Sequence, residues 1–593
     1  MRQSAKPSGN FQEGLWALFL ICWCLLILVP GMDRWDLRLP DEVRYTEVAR
    51  EMGVAKSYVL PVLNGQTYSE KPPLFFWLLL LLAKMHGGFS EVTARWISVG
   101  AMAGTVLSVY LLGRLLFDWK SGRVAALLLA TTAHPFWFSH LGVMDNLLMF
   151  FVTVSILAFY AGHRGFCSGR IGYGASALAM GLGVLTKGPL GLLLPWSVLA
   201  AWLLWAEGPK GWRRQALWWT PILALIPVLA WLVPACLEGG PEYSRIILWK
   251  QNVGRALEGY AHRKPFTFYL DVLPGGLAPW IVMLPLAIWV WLEQRVSKQT
   301  DESARWQLPA AWAVVMFLIL SFISSKRDKY LLPIYPAASL FVGRAMVLAD
   351  AERCARIKGW LAKAPVVLFY LALVLIGLGA GTLFFLGPGK ILDPVLQRLA
   401  KSDLETGMLL DFRSRASLGI LSLLGVLCAI PGFRRIRRGE LLKALSPCLA
   451  LFLGIALYLN FHIMPALNAS FTAEIFCEEM DREVPDLHDA RVAVFQMDYS
   501  AAFNDCLQRT RIPILQSPQE VTDFLFSKQT SYLIVSEAYL RDLEEALLEG
   551  GLRLFRVAQG RVRGRPTFLV TGVHGETMIA RPLETRNSGS EVW

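Results

Sequence analysis

Apolar runs of about 17 to 25 residues recur along most of this chain, separated by short polar or basic stretches. A run of that length crosses a bilayer as a helix. Thirteen such runs are read, at about 14–31, 92–116, 121–139, 145–162, 171–186, 188–205, 215–235, 274–293, 306–325, 330–350, 361–386, 415–432 and 442–462. A further run, Leu74–Ala83, has only about ten residues. As a helix it extends ~15 Å against a hydrocarbon core of ~30 Å, which predicts an interfacial or re-entrant segment rather than a crossing. From about residue 463 the pattern changes: charges become frequent, Arg491–Met497, Tyr532–Ser536 and Thr567–Thr571 read as strands, and Pro518–Phe526 and Arg541–Glu549 read as helices. The prediction is an α-helical polytopic membrane domain over 1–462 followed by a small α/β domain over 463–593.

Composition agrees and removes alternatives. The 593 residues are 54% apolar and 18% charged, where soluble domains carry roughly 25% charged residues. That excess cannot be hidden in a water-soluble core, which excludes a soluble enzyme, a disordered chain and a disulfide-stapled secreted module. The formal charge of +12 suggests nucleic acid in a soluble protein, but in a membrane protein basic residues first of all orient the chain. With thirteen crossings and a cytoplasmic N-terminus, every short basic loop, including Lys210/Arg213/Arg214 and Arg434/Arg435/Arg437/Arg438, falls on the cytoplasmic side. Counting Leu74–Ala83 as a fourteenth crossing puts them all outside. The same parity places outside a first loop (about 32–91), a second loop (about 236–273) and the C-terminal domain. Cys477 and Cys506 share that outer domain, where a disulfide can persist, but sequence supplies no geometry and leaves their pairing open.

Polar residues gather at the outer ends of the spans. Pro40 followed by Asp41 and Glu42 reads as a helix start, with anions where the helix dipole favours them. For Asp41, capping and catalysis both remain open. Glu70-Lys71-Pro72-Pro73 precedes the short apolar run; Lys71 is either a snorkelling lysine or a cation held against a lipid phosphate. Asp145 opens an apolar run, and an ionisable residue there is a functional candidate as well as a cap. Lys187 interrupts the apolar stretch from 171 to 205; the following Gly188-Pro189 explains a helix break but not a cation. Arg255 and His262 lie in the second outer loop, where solvation is the plainer reading. Lys326, Arg327, Lys329 and Tyr330 run against the positive-inside trend, which an anionic ligand best explains. Cations converging with carboxylates at one membrane face suggest a site for a membrane-borne phosphate and a group transferred from it. The sequence carries no Walker or Rossmann fingerprint.

These residues, in this order, resemble the GT-C membrane glycosyltransferases, in the branch that holds the protein O-mannosyltransferases and the bacterial lipid A aminoarabinose transferases. The resemblance rests on Asp41-Glu42 with Arg44-Tyr45, on Glu70 to Pro73, Asp145, Lys187 to Pro189, Arg255, and Tyr330 to Pro333. The helix count and the small outer domain look most like the aminoarabinose subgroup. The resemblance implies juxtamembrane helices in the first outer loop and inverting transfer of a sugar from a polyprenyl (undecaprenyl) phosphate carrier to an acceptor on the periplasmic face of a bacterial inner membrane. It points first to 4-amino-4-deoxy-L-arabinose and lipid A. It further implies that Lys71, Arg255 and Tyr330, with Lys187 and Lys329, hold the donor phosphate. Asp41 would be the base, Asp145 would orient acceptor or sugar, and Glu42 joins the catalytic candidates.

Where some relatives carry a histidine close before the arginine of the second outer loop, this chain has Lys250 and Asn252. A divalent metal therefore rests only on Glu70 with His262, and no cofactor is otherwise indicated. Another donor sugar, a protein or polysaccharide acceptor, and a lipid-linked sugar flippase stay as alternatives. A transporter often shows repeated halves with interrupted helices near mid-membrane; no such symmetry is visible here, and the polar residues gather at one face.

Overall fold

The computed structural model describes residues 8–249, 263–296, 304–350, 412–438, 440–497, 500–526 and 530–574, together with two isolated positions. The chain forms two compact units, 1–468 and 469–593. It is a polytopic α-helical membrane protein with a small C-terminal sheet domain.

In the membrane unit, α1 (Ser8–Leu28) is followed by two non-spanning helices, α2 (Asp41–Ala55) and α3 (Leu74–His86). α3 has 13 residues, ~20 Å of helix against a ~30 Å core, so the short apolar run stops short of a crossing. It ends at Gly87, whose φ of 82° is the left-handed cap conformation that favours glycine. α2 and α3 pack through Tyr45, Phe75 and Phe76, with Tyr68 edge-on to Phe76. Between them β1 (Val62–Leu63) and β2 (Gln66–Thr67) form a small hairpin. The backbone N–H groups of Asn64 and Gly65 at its turn donate to the Glu51 carboxylate at 2.7 and 2.9 Å.

The helices that follow are α4 (Glu91–Leu116), α5 (Trp119–Ala130), α6 (Ala133–Ser139), α7 (Met144–His163), α8 (Gly169–Lys187) and α9 (Leu190–Glu207). Small residues let neighbouring backbones approach, as membrane packing favours. A Cβ at Gly172 would overlap Gly162 of α7, and one at Gly191 would overlap Gly183 of α8. Beyond α9 come the helices Gln215–Arg245, Phe268–Gly276, Leu284–Val296, Gln307–Phe322, Tyr335–Asp350, Phe412–Arg437 and Leu441–Tyr458. Among the described candidate spans, Asp328–Asp350 is the most buried, with 89% of its apolar window inside the protein.

Twelve of the thirteen predicted spans fall on described residues and are helical there; 361–386 lies almost entirely outside them. Among the described residues eight helices are long and apolar enough to cross a membrane, or nine if one bent pair is a single span. The run 121–139 breaks into α5 and α6 at Thr131-Thr132, just before Pro135. The run 274–293 turns through 100° between Phe268–Gly276 and Trp280–Val296. Hydropathy reports composition, not continuity, so neither break showed in the apolar pattern.

In the C-terminal unit a five-stranded sheet runs in the order β4-β3-β5-β7-β6, built from β3 (Arg491–Phe495), β4 (Ile514–Leu515), β5 (Ser531–Ser536), β6 (Leu552–Val562) and β7 (Arg565–His574). β3 pairs in parallel with β4 and β5, and β7 is antiparallel to β5 and β6. Helix Pro518–Leu525 matches the sequence reading, helix Glu537–Glu549 begins four residues before the expected Arg541, and β4 and the arginine-rich β6 do not show in the sequence pattern. Cys477 and Cys506 are joined as a disulfide.

Candidate active site

Four separate elements bring charged side chains to one place in the membrane unit. Asp41 is the first residue of α2, behind Pro40, and no side-chain cap bond is made at that helix start. Its Oδ2 instead accepts from Lys329 Nζ at 2.5 Å and from Arg327 at 3.2 Å. Both cations come from the turn and 3₁₀ segment that lead into Tyr335–Asp350. Asp145, in the first turn of α7, is 2% exposed. One of its oxygens accepts from Lys187 and the other lies 3.6 Å from Lys329 Nζ. Lys187 is the last residue of α8; the chain then turns at Gly188, whose φ is 83°, into Pro189 and α9. Its ammonium also sits 4.1 Å from the centroid of the Tyr330 ring. Lys329 thus bridges Asp41 and Asp145, and three cations surround two carboxylates.

Such buried charges are tolerable only when paired. At Asp41 burial raises the carboxyl's pKa, but Lys329, and after it Arg327 and Arg44, reverse the shift and bring it down to about 2.

A cavity of about 350 Å³ adjoins this network. Lys71 and Lys187 line it together with apolar side chains, among them Leu192, Leu225, Trp231 and Ile247. Lys187 therefore faces both the carboxylate cluster and an apolar slot. Glu70 also borders the slot and lies 3.9 Å from Arg44.

The structure brings together Asp41, Asp145, Lys187, Lys329 and Tyr330, with Lys71 in the adjoining cavity. Glu42 goes elsewhere. Its carboxylate is buried and accepts from the backbone of Gly142 at 2.6 Å, the backbone of Arg38 at 3.0 Å and Arg95 Nε at 3.3 Å. Those bonds commit both oxygens to holding the first loop, so Glu42 serves the architecture and not the charge cluster. Arg95, fully buried, also donates to the carbonyls of Met32, Trp35 and Asp36. Arg255 and His262 lie outside the described residues. Among the described residues no three His, Cys, Asp or Glu side chains gather as metal ligands would. Sequence groups Arg327 with Lys329 and Tyr330 around an anionic ligand but does not show its pairing with Asp41, and it offers for Arg95 only the signal of a charge near the start of a long apolar run.

Parts of this chain are similar to known membrane glycosyltransferases. Residues 70–233 match the protein family described as dolichyl-phosphate-mannose-protein mannosyltransferase. The undecaprenyl phosphate-alpha-4-amino-4-deoxy-L-arabinose arabinosyl transferase of Edwardsiella ictaluri is 31% identical over 365 residues, covering 60% of this chain and 62% of that one. The protein of the same name from Pseudomonas paraeruginosa is 32% identical over 343 residues, 56% of this chain and 59% of that one. The chain thus matches less than two thirds of the length of these curated relatives. Among solved structures, ArnT from Cupriavidus metallidurans bound to undecaprenyl phosphate superposes with a TM-score of 0.72 at 18% identity, over 93% of this chain and 98% of that one. At that identity the likeness speaks for the fold.

Proposed function

We propose that the chain is a glycosyltransferase that moves a sugar, first of all 4-amino-4-deoxy-L-arabinose, from an undecaprenyl phosphate carrier to lipid A. The observation that carries this reading is Lys187, which binds Asp145 and also lines the apolar slot beside Lys71. A polyprenyl chain suits the apolar walls, and its phosphate suits the lysines. The names of the relatives support the sugar and the carrier. The reading also puts the site on the periplasmic face of a bacterial inner membrane, with a cytoplasmic N-terminus and an outer C-terminal domain, by the distribution of basic loops.

The chemistry follows from the charges. The leaving group is a phosphate. Lys71, Lys187 and Arg255 stabilise the charge that grows on it as the glycosidic bond breaks, and preorganised cations in a dry site are effective at this. Transfer in one step inverts the anomeric centre. Asp41, held near pKa 2 by Lys329 and Arg327, is a weak proton acceptor; a general base works best with a pKa near the working pH. A lipid A phosphate is already ionised and needs no base, which suits this site better than a sugar or serine hydroxyl. Asp41 and Asp145 then fix Lys329 and Lys187 in place and balance their charge.

Purified protein in detergent, given undecaprenyl phosphate-linked aminoarabinose and lipid A, is expected to release undecaprenyl phosphate and yield lipid A with the added sugar by mass spectrometry. Lys71→Ala and Arg255→Ala are each expected to lower kcat/KM by ~10²–10³ with an unchanged unfolding temperature. Wild-type turnover in both variants would remove the donor-phosphate assignment. Transbilayer movement of the donor without any turnover would replace the transferase reading with a flippase.

A further inference from the structure

A second basic cavity, of about 500 Å³, lies beside the segment that supplies Arg327 and Lys329, and among the described residues it shares no lining residue with the donor slot. Arg263, Lys264 and Lys326 line it with Ser321, Phe266 and Phe322, and among the described residues no carboxylate lines it. The backbone builds it deliberately: Arg263 forms a β-bridge with Ser325, and Lys264 N donates to Ser324 O at 3.4 Å. Consecutive residues then part company. Arg327 reaches Asp41, while Lys326 donates to the carbonyl of Lys264 at 3.1 Å.

Two buried groups in this cavity have bonding capacity to spare. Lys326 is 4% exposed; among the described residues it meets that one carbonyl and no carboxylate. An ammonium has three donors, and a buried cation without a counter-charge is costly. Ser321 is 2% exposed, and its hydroxyl has no hydrogen-bond partner among the described residues. A buried donor and a buried ammonium lining one cavity, with Arg263 and Lys264 at its more exposed side, suit the oxygens of a phosphate.

The setting indicates where that phosphate comes from. Helix Gln307–Phe322 is apolar along its 16 residues and gives way at once to Ser324, Ser325, Lys326 and Arg327, so Phe322 stands where an apolar run meets polar sequence. Phe322 is 75% exposed, Phe266 is 44% exposed, and their rings meet edge to face at 5.3 Å. Exposed aromatic residues at the end of a span mark the membrane interface. We propose that this cavity is a second anion site, separate from the Asp41–Asp145 cluster, and that it takes the headgroup phosphate of an anionic membrane lipid. It does not depend on the transferase reading.

The test uses the full chain in detergent, equilibrated with equal amounts of phosphatidylglycerol and phosphatidylcholine and read by native mass spectrometry. Wild type is expected to retain phosphatidylglycerol selectively. Arg263→Ala and Lys264→Ala are each expected to lower that retention about fivefold, in line with ~1 kcal/mol per cation near a membrane surface. Ser321→Ala, which changes little volume, is expected to lower it severalfold with the unfolding temperature unchanged. Retention unaltered in the Arg263/Lys264 double variant and in Ser321→Ala would overturn the proposal. So would a loss confined to Lys71→Ala, which would move the lipid to the donor slot. Displacement by millimolar inorganic phosphate would assign the site to free phosphate and overturn the lipid source.

Discussion

At Asp41 two effects act on one carboxylate in opposite directions. Burial favours the neutral acid; Lys329 at 2.5 Å and Arg327 at 3.2 Å favour the anion and prevail, leaving a pKa of about 2. Because the folded pKa is depressed, the contribution to stability is present above the unfolded value of about 3.9 and is lost as pH falls through about 2. Between about pH 5 and 8 Asp41 stays ionised. The profile of kcat/KM over that range is expected to show no acid limb from Asp41, and Asp41→Asn is expected to cut the rate without moving the profile. An acid limb in wild type that vanishes in Asp41→Asn would restore Asp41 as the base. At this scale much of the cluster was legible, because a charge at a membrane face is costly and stands out against an apolar background: Asp145, Lys187 and Lys329 announced themselves this way. Pairings did not. Nothing local distinguishes Asp41, which meets two cations, from its neighbour Glu42, which holds Arg95 and Gly142, 53 and 100 positions away.

Among elements, the α8–α9 corner controls where Lys187 points. Gly183 and Gly191 pack backbone to backbone on either side of Lys187-Gly188-Pro189. A methyl group at Gly191 would have to push the two helices apart, since its neighbours are backbone atoms and not a flexible side chain. Gly191→Ala is expected to cost ~1–3 kcal/mol of stability through overpacking. It should also lower donor use by more than that loss of folded protein explains, as Lys187 swings away from Asp145. Thermal unfolding in detergent, together with kcat/KM corrected for folded fraction, separates the two effects. Activity intact per folded molecule would show that Lys187 is positioned without this corner. The failure of α3 to cross was legible because it is a matter of length. The break between α5 and α6 and the 100° bend before Leu284–Val296 were not, because residues on both sides of each break are equally apolar. The prolines at 135 and 279 were the visible hints.

For the molecule as a whole, the division into membrane and C-terminal units follows from composition, while the pairing of strands in the second unit depends on contacts across it. β6 was missed because its arginines hide the alternation that its edge position permits. The bridge made by Lys329 has a further consequence, seen in the charge of the resting site. Among the described residues, the ion pairs of the cluster set Arg327, Lys329 and Lys187 against Asp41 and Asp145, one positive charge in excess, before Lys71 is counted. On the proposed reaction the donor is a phosphodiester with a single negative charge, whereas the spent carrier is a monoester whose second ionisation falls near pH 6. The site therefore favours what it has finished with over what it is about to use. Added undecaprenyl phosphate is expected to compete with the donor at concentrations below the donor KM, and to do so more strongly as pH rises through about 6. Inhibition that is weak and flat across that range would mean the excess charge is neutralised before the carrier arrives. If it is strong, turnover in the cell is paced by how fast the empty carrier leaves the membrane face and is recycled.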